Sequence, residues 1–153
     1  MSIKIRKATA ADVPAIFRLV RELAAFERAP EEVWNTEQRM LEEGFGATPY
    51  FFAFVAEEMQ TAEIQGMAVY HWAYSTWKGK YIYLDDLYVV EALRGKGVGK
   101  QLMDALMEEA KALDASGVKW QVLDWNTQAI EFYKKYDVTF DPEWINCRKN
   151  LRR

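Results

Sequence analysis

A run rich in Tyr, Ile, Leu and Val, Lys80 to Val90, leads through Arg94-Gly95-Lys96-Gly97-Val98-Gly99 into a helical pattern from about Lys100 to Ala115. A strand, a glycine loop and a helix in direct succession require a layered α/β arrangement, with the helix packed back on the sheet. The helix start leaves backbone N–H groups without intrahelical partners and carries about half a positive charge. Such a turn can cradle a pyrophosphate, because glycines let the backbone approach the phosphates and Arg94, Lys96 and Lys100 add charge. A Walker A loop needs Gly five residues before Gly99 and Ser or Thr after Lys100, where Arg94 and Gln101 stand. A dinucleotide fingerprint starting at Gly95 needs Gly at position 100, which is Lys. Taken alone, the loop reads equally as a plain glycine-rich turn with a basic rim.

The flanking patterns extend the layering. Ile3 to Ala8 alternates as a strand, and Thr9 to Asp12 has capping-box spacing ahead of a helix to about Phe26. Thr36 to Glu43 predicts a shorter helix closed by Gly44 and Gly46; Tyr50 to Ala56 and Met67 to Tyr74 predict strands. Lys119 to Leu123 predicts a strand, Ala129 to Tyr136 a helix, and Trp144 to Leu151 a closing strand. The order β-α-α-β-β-β-α-β-α-β, without repeat or linker, predicts one domain over 1–153. It is a mixed sheet, antiparallel early and parallel late, with helices on both faces.

Half of the 153 residues are hydrophobic, with six Trp, eight Tyr and eight Phe, so the chain can bury a core. A formal net charge of −3 argues against a nucleic-acid partner, which calls for clustered positive charge. The longest apolar run, Tyr50 to Ala56, is far short of the roughly 20 residues a membrane helix needs. Cys147, the only cysteine, has no internal disulfide partner and reads as a buried or edge residue, and the start of the chain has no apolar signal core. A cytoplasmic protein without a membrane partner is the expectation.

The pattern Arg94-x-x-Gly97-x-Gly99 resembles the coenzyme A loop of the GNAT superfamily of N-acetyltransferases. Tyr83-Leu84-Asp85-Asp86-Leu87-Tyr88-Val89 before it, and Asp124-Trp125-Asn126 with Phe132-Tyr133-Lys134 after it, add to the resemblance. Glu22-Leu23-Ala24-Ala25-Phe26-Glu27, Gly44-Phe45-Gly46 and Ser75-Thr76-Trp77-Lys78-Gly79-Lys80 extend it, almost end to end, to the diamine acetyltransferases. Ser75-Thr76 and Val122-Leu123-Asp124-Trp125-Asn126 resemble the thialysine Nε-acetyltransferase branch.

The resemblance implies a GNAT-type α/β fold splayed in a V between strands ending near Val89 and Leu123. It implies acetyl-CoA as cofactor, its pantetheine arm at Leu87, Tyr88, Val89 and Asn126, and its pyrophosphate on Gly95 to Lys100. It implies a homodimer, and a primary amine of a thialysine- or lysine-like amino acid, or of a polyamine, as substrate. Tyr133 aligns with the tyrosine that protonates the leaving thiolate and lies beside the coenzyme. Phe26 and Glu27 match the family's substrate-end pair. Ser75, Thr76, Trp77, Leu123 and Asp124 match its substrate end as well, though each also reads as ordinary loop chemistry.

An alkyl ammonium has a pKa near 10.4, so presenting the free amine at pH 7 costs about 4–5 kcal/mol. Asp85, a carboxylate in an otherwise apolar strand, is the candidate to receive that proton, directly or through water, where the family has Glu. Alternation predicts that Asp85 and Asp86 point to opposite faces; both also fit solvated strand-end carboxylates. The Leu87 N–H is a candidate oxyanion donor. His71, the only histidine, reads as a structural strand residue, and no cluster has metal-ligand spacing, so no metal is expected. Asp137 stands where relatives have Gly, a position Asp can fill in left-handed geometry. Acetylation of a protein or peptide amine, and a non-catalytic coenzyme-A sensor, are the rival readings.

Overall fold

The computed structural model describes residues 2–151; Met1, Arg152 and Arg153 of the expected 1–153 domain lie outside the described residues. The chain forms two compact units, Met1–Trp120 and Gln121–Arg153.

The first unit is built on a five-stranded sheet in the order β1-β2-β3-β4-β5. Its strands are β1 (Ile3–Lys7), β2 (Phe52–Glu58), β3 (Ile64–Ser75), β4 (Gly79–Val89) and β5 (Val118–Lys119). The first four are antiparallel to their neighbours and β5 is parallel to β4, which is the mixed sheet the connection lengths predict.

Helix α1 (Val13–Phe26) starts behind a turn in which the Thr9 N–H donates to Asp12 at 2.7 Å. Arg6 grips the same carboxylate through two bonds of 2.8 and 2.9 Å. Helix α2 (Glu37–Phe45) starts at Thr36, whose hydroxyl accepts from the Arg39 N–H at 3.1 Å. Ile16, Phe17 and Leu19 of α1 and Met40 of α2 form one core with Val55, Met67, Val69 and Tyr88 of the sheet. Each large side chain buried there contributes about 1.5–3 kcal/mol.

Alternation sends Phe54, Ala56, Ala68 and Tyr70 to the opposite face, where helix α3 (Val98–Ala112) lies on β1 through β4. Gly66 permits that approach: a Cβ there would stand 3.2 Å from Leu102 Cδ1 and 3.1 Å from the Tyr88 carbonyl oxygen. Helices therefore cover both faces of the sheet.

The second unit carries helix α4 (Thr127–Tyr133) and a 3₁₀ turn, Lys134–Tyr136. Three expectations fail in the C-terminal region. The strand expected from Lys119 to Leu123 is only the two-residue β5, and residues 144–151 form no strand. An apolar alternation becomes a strand only beside a free ladder edge, and none is paired with Trp144, Ile145 or Leu151, which remain 74%, 86% and 90% exposed. Cys147, expected to be buried or at an edge, is exposed. No helix among the described residues is long and apolar enough to cross a membrane.

Candidate active site

The β3–β4 ladder pairs Tyr70 with Leu84 but Val69 with Asp86, so Asp85 is an extra residue with no partner, a β-bulge. This overturns the expected separation of the two carboxylates. Val69 belongs to the core under α1, so Asp86 opposite it faces α1; the bulge adds a residue and turns Asp85 to the same face. Burial, then the Asp85 charge, then the Glu27 charge push the Asp86 carboxyl up to about 7. Glu27, the C-cap residue of α1, is itself raised by desolvation although it keeps solvent contact. Three carboxyls therefore line one face, and one is held near neutrality.

His71 completes this group. Its Nδ1 lies 2.7 Å from an Asp85 carboxylate oxygen, and its ring is tilted on Tyr83, its ladder partner, at 5.4 Å. Burial, then the charge of Asp85, then that of Tyr81 raise the Tyr83 phenol. Reading the chain for motifs misses this contact, because the two residues stand 14 apart. The signal was the hairpin register: closing the turn with Ser75 opposite Gly79 sets His71 opposite Tyr83, diagonally from Asp85.

At the far end of β4, Gly95 and Gly97 adopt left-handed φ of 76° and 84°, and a Cβ at either would meet nothing within 4 Å. Backbone conformation, not crowding, calls for glycine at both. Gly97 caps α3, whose first internal bond runs from the Gln101 N–H to the Gly97 carbonyl at 3.0 Å. The preceding N–H groups form an exposed turn of the kind that takes a phosphate. Arg94 behaves differently from the loop's other cations. Its Nε donates to the Val89 carbonyl at 3.1 Å, and its guanidinium lies 5.0 Å from the Phe26 ring centroid and 5.4 Å from that of Tyr88. It ties the loop to α1 and β4. Along β4, β5 pairs only with Ile82 and Tyr83, so from Leu84 to Val89 the strand has no β5 partner.

The sequence matches the acetyltransferase (GNAT) family model over residues 14–137. It is 36% identical over 156 residues to a thialysine N-epsilon-acetyltransferase of Mus musculus, covering 96% of this chain and 92% of that protein. A thialysine N-epsilon-acetyltransferase of Bos taurus is 38% identical over 138 residues, covering 86% and 81%. Among solved structures, an aminoglycoside acetyltransferase from an uncultured soil metagenomic sample, in complex with trehalose, superposes with a TM-score of 0.80 at 19% identity. That match covers 98% of this chain and 97% of the other and concerns the fold. The chain belongs to the acetyltransferase (GNAT) family. It is an N-acetyltransferase.

The remaining residues singled out in this acetyltransferase divide into two groups. The Ser75 hydroxyl accepts from the Trp77 and Lys78 N–H groups at 3.2 and 3.1 Å, so it closes the β3–β4 hairpin. Thr76 and Trp77 are exposed at that tip. The ladder from Tyr70 to Ser75 sets the tip roughly 17 Å from the Asp85 bulge, at about 3.3 Å per residue, so the chain does not bring Ser75, Thr76 or Trp77 to the carboxylates.

In the second unit, Leu123 and Asp124 are exposed, and the Asn126 side chain caps α4 by accepting from the Ala129 N–H at 3.2 Å. Tyr133 is buried at the end of α4, edge-on to Phe132 with ring centroids 5.5 Å apart. Asp137 adopts φ 53° and ψ 52°, the left-handed geometry expected there. No three His, Cys, Asp or Glu side chains are grouped as metal ligands among the described residues.

Proposed function

We propose that this acetyltransferase acetylates the primary amine of a small cationic molecule from acetyl-CoA, with thialysine- or lysine-like amino acids first and polyamines such as spermidine next. The observation that carries this reading is the face shared by Glu27, Asp85 and Asp86, which suits a substrate bearing more than one ammonium group. The names of the relatives agree with it.

The glycine loop fits the coenzyme. Gly95 and Gly97 have the backbone geometry of a phosphate cradle, with open space where side chains would stand. Gly95, Lys96, Gly97, Val98, Gly99 and Lys100 would hold the pyrophosphate. Leu87, Tyr88 and Val89, where β4 lacks β5, offer backbone groups to the pantetheine arm, and Asn126 helps to fix it. When bound, acetyl-CoA supplies the thioester: the amine nitrogen forms a bond to its carbonyl carbon and the carbon–sulfur bond breaks.

The chain's own groups then have separable tasks. The carboxyl face draws in the ammonium and lowers the cost of presenting it near the bulge. The Leu87 N–H stabilises negative charge on the acetyl oxygen, and Tyr133 donates a proton to the leaving sulfur. Glu27 and Phe26 hold the far end of the substrate, and a homodimer is the assembly carried with this reading.

Release of free thiol from acetyl-CoA, measured in parallel with thialysine, lysine, spermidine, putrescine and a lysine peptide, tests it. One small amine dominating in kcat/KM is the expected result. Preference for the peptide would move the reading to a protein acetyltransferase. Binding of acetyl-CoA without turnover would favour a sensor.

A further inference from the structure

Chemistry alone makes the proton step demanding. A lone aspartate is a weak acceptor for an alkyl ammonium proton, because the two groups ordinarily titrate about six pH units apart. An imidazole closes much of that gap. The only histidine of the chain stands on the acidic face, in contact with the carboxylate at the bulge.

An ionised carboxylate is an acceptor only, so a 2.7 Å contact between Asp85 and Nδ1 requires the proton on Nδ1. In the neutral ring Nε2 then carries the lone pair. The tilted packing on Tyr83 restrains rotation of the ring. Both partners keep solvent contact, with 36% of the His71 side chain and 41% of the Asp85 side chain exposed, so a small molecule and bulk water can reach the pair. Asp85 and Tyr83 of β4 contact the ring, and Asp86 beside Asp85 feels the charges of both Asp85 and Glu27. Their negative charge attracts the ammonium that must lose a proton.

We infer that His71, oriented by Asp85, takes the proton from the substrate ammonium, directly or through one water, and that Asp85 is its positioning residue. This rests on the small-amine reading above and divides its proton chemistry. The ammonium proton goes to Nε2 before attack and from there to solvent. The second proton, lost by the nitrogen once the carbon–nitrogen bond has formed, leaves to solvent, and Tyr133, having protonated the sulfur as the carbon–sulfur bond breaks, recovers a proton from solvent. The carboxyl face is then chiefly an electrostatic guide.

The test uses the tag-free 153-residue chain, in which the one histidine gives a single imidazole signal. Nitrogen-resolved NMR is expected to show the Nδ1-protonated tautomer in the wild type, and loss of that tautomer's dominance in Asp85→Asn. In turnover with the preferred amine, His71→Gln is expected to lower kcat/KM by about 10²-fold or more near pH 7. It should also displace the acid limb of the pH profile and leave KM for acetyl-CoA unchanged. The Asp85→Asn, His71→Gln double variant should be little worse than His71→Gln alone, since the two act as one unit.

An Nε2-protonated tautomer, a tautomer ratio indifferent to Asp85→Asn, or a His71→Gln enzyme with the wild-type rate and pH profile would each overturn the inference. Wild-type protein that turns over none of the amines removes the acetyltransfer reading together with this one. Normal turnover with an indifferent His71→Gln removes this one alone.

Discussion

Asp85 and Asp86, adjacent in sequence, share one face of the sheet because Asp85 is the unpaired residue of the β4 bulge. The crowding has a thermodynamic signature. Asp86 releases its proton near 3.8 as an ordinary aspartate and near 7 in the folded chain, chiefly because burial opposes its charge. Between those values the folded state holds the proton more tightly than the unfolded state. Stability from this group is therefore present at low pH, falls as pH rises towards 7, and stays lost above it. Asp12 has the opposite sign: its bonds to Arg6 depress its pKa, so its contribution is present above the ordinary aspartate range and is lost on acidification.

Asp86→Asn should flatten the Asp86 part of this dependence. Urea unfolding at pH 4.5 and pH 8 is expected to show the variant gaining about 1–4 kcal/mol on wild type between the two conditions. Equal changes for both proteins would mean that Asp86 ionises as an ordinary carboxylate.

Gly97→Ala tests the loop through its backbone. No atom stands within 4 Å of the added Cβ, so the cost comes from the left-handed φ of 84°, about 1–2 kcal/mol. Acetyl-CoA affinity, read by calorimetry, is expected to fall about tenfold or more as the cradle relaxes. Gly117→Ala, where a Cβ also meets nothing, is the control and should leave affinity unchanged. Equal affinity in both variants would take the phosphate role from the Gly97 turn.

Arg94 and Lys differ at this site in more than length. Only a planar guanidinium can lie near the Phe26 and Tyr88 rings while its Nε reaches the Val89 carbonyl. Arg94→Lys is expected to cost about 1–2 kcal/mol in urea unfolding of the coenzyme-free protein. A loss seen only with acetyl-CoA bound would instead make Arg94 a direct phosphate ligand.

These predictions draw on different depths of the sequence. The strand–glycine loop–helix succession and the periods of α1, α2 and α3 are local, and the elements formed where the patterns lie. Asp137 shows the same legibility at a single residue: its short polar side chain tolerates the φ of 53° that ends the last turn. The bulge is not local, because an extra residue in a ladder is defined only against the partner strand. The Asp85 and Asp86 side chains followed it to one face, and the His71 contact came with them. The predicted strand at Trp144 to Leu151 was apolar enough but is paired with no other strand. Asn126 and Ser75, carried as ligand-binding residues, are each at least partly accounted for by a cap and a turn.

Tyr133 is the residue whose assignment depends most on resemblance, so its test must separate chemistry from packing. The phenol is buried at the end of α4, and its ring meets Phe132 edge-on. Tyr133→Phe keeps the ring and removes only the hydroxyl, which limits the packing loss. If the hydroxyl protonates the leaving sulfur, kcat should drop about 10²-fold or more while acetyl-CoA affinity changes little. A second measurement distinguishes an acid from a binding contact. A thioester whose leaving thiol is more acidic needs less protonation, so it should recover much of the lost rate in Tyr133→Phe while changing wild-type turnover less. Equal responses of the two enzymes to the better leaving group would assign Tyr133 to packing or coenzyme contact and return the sulfur's proton to solvent.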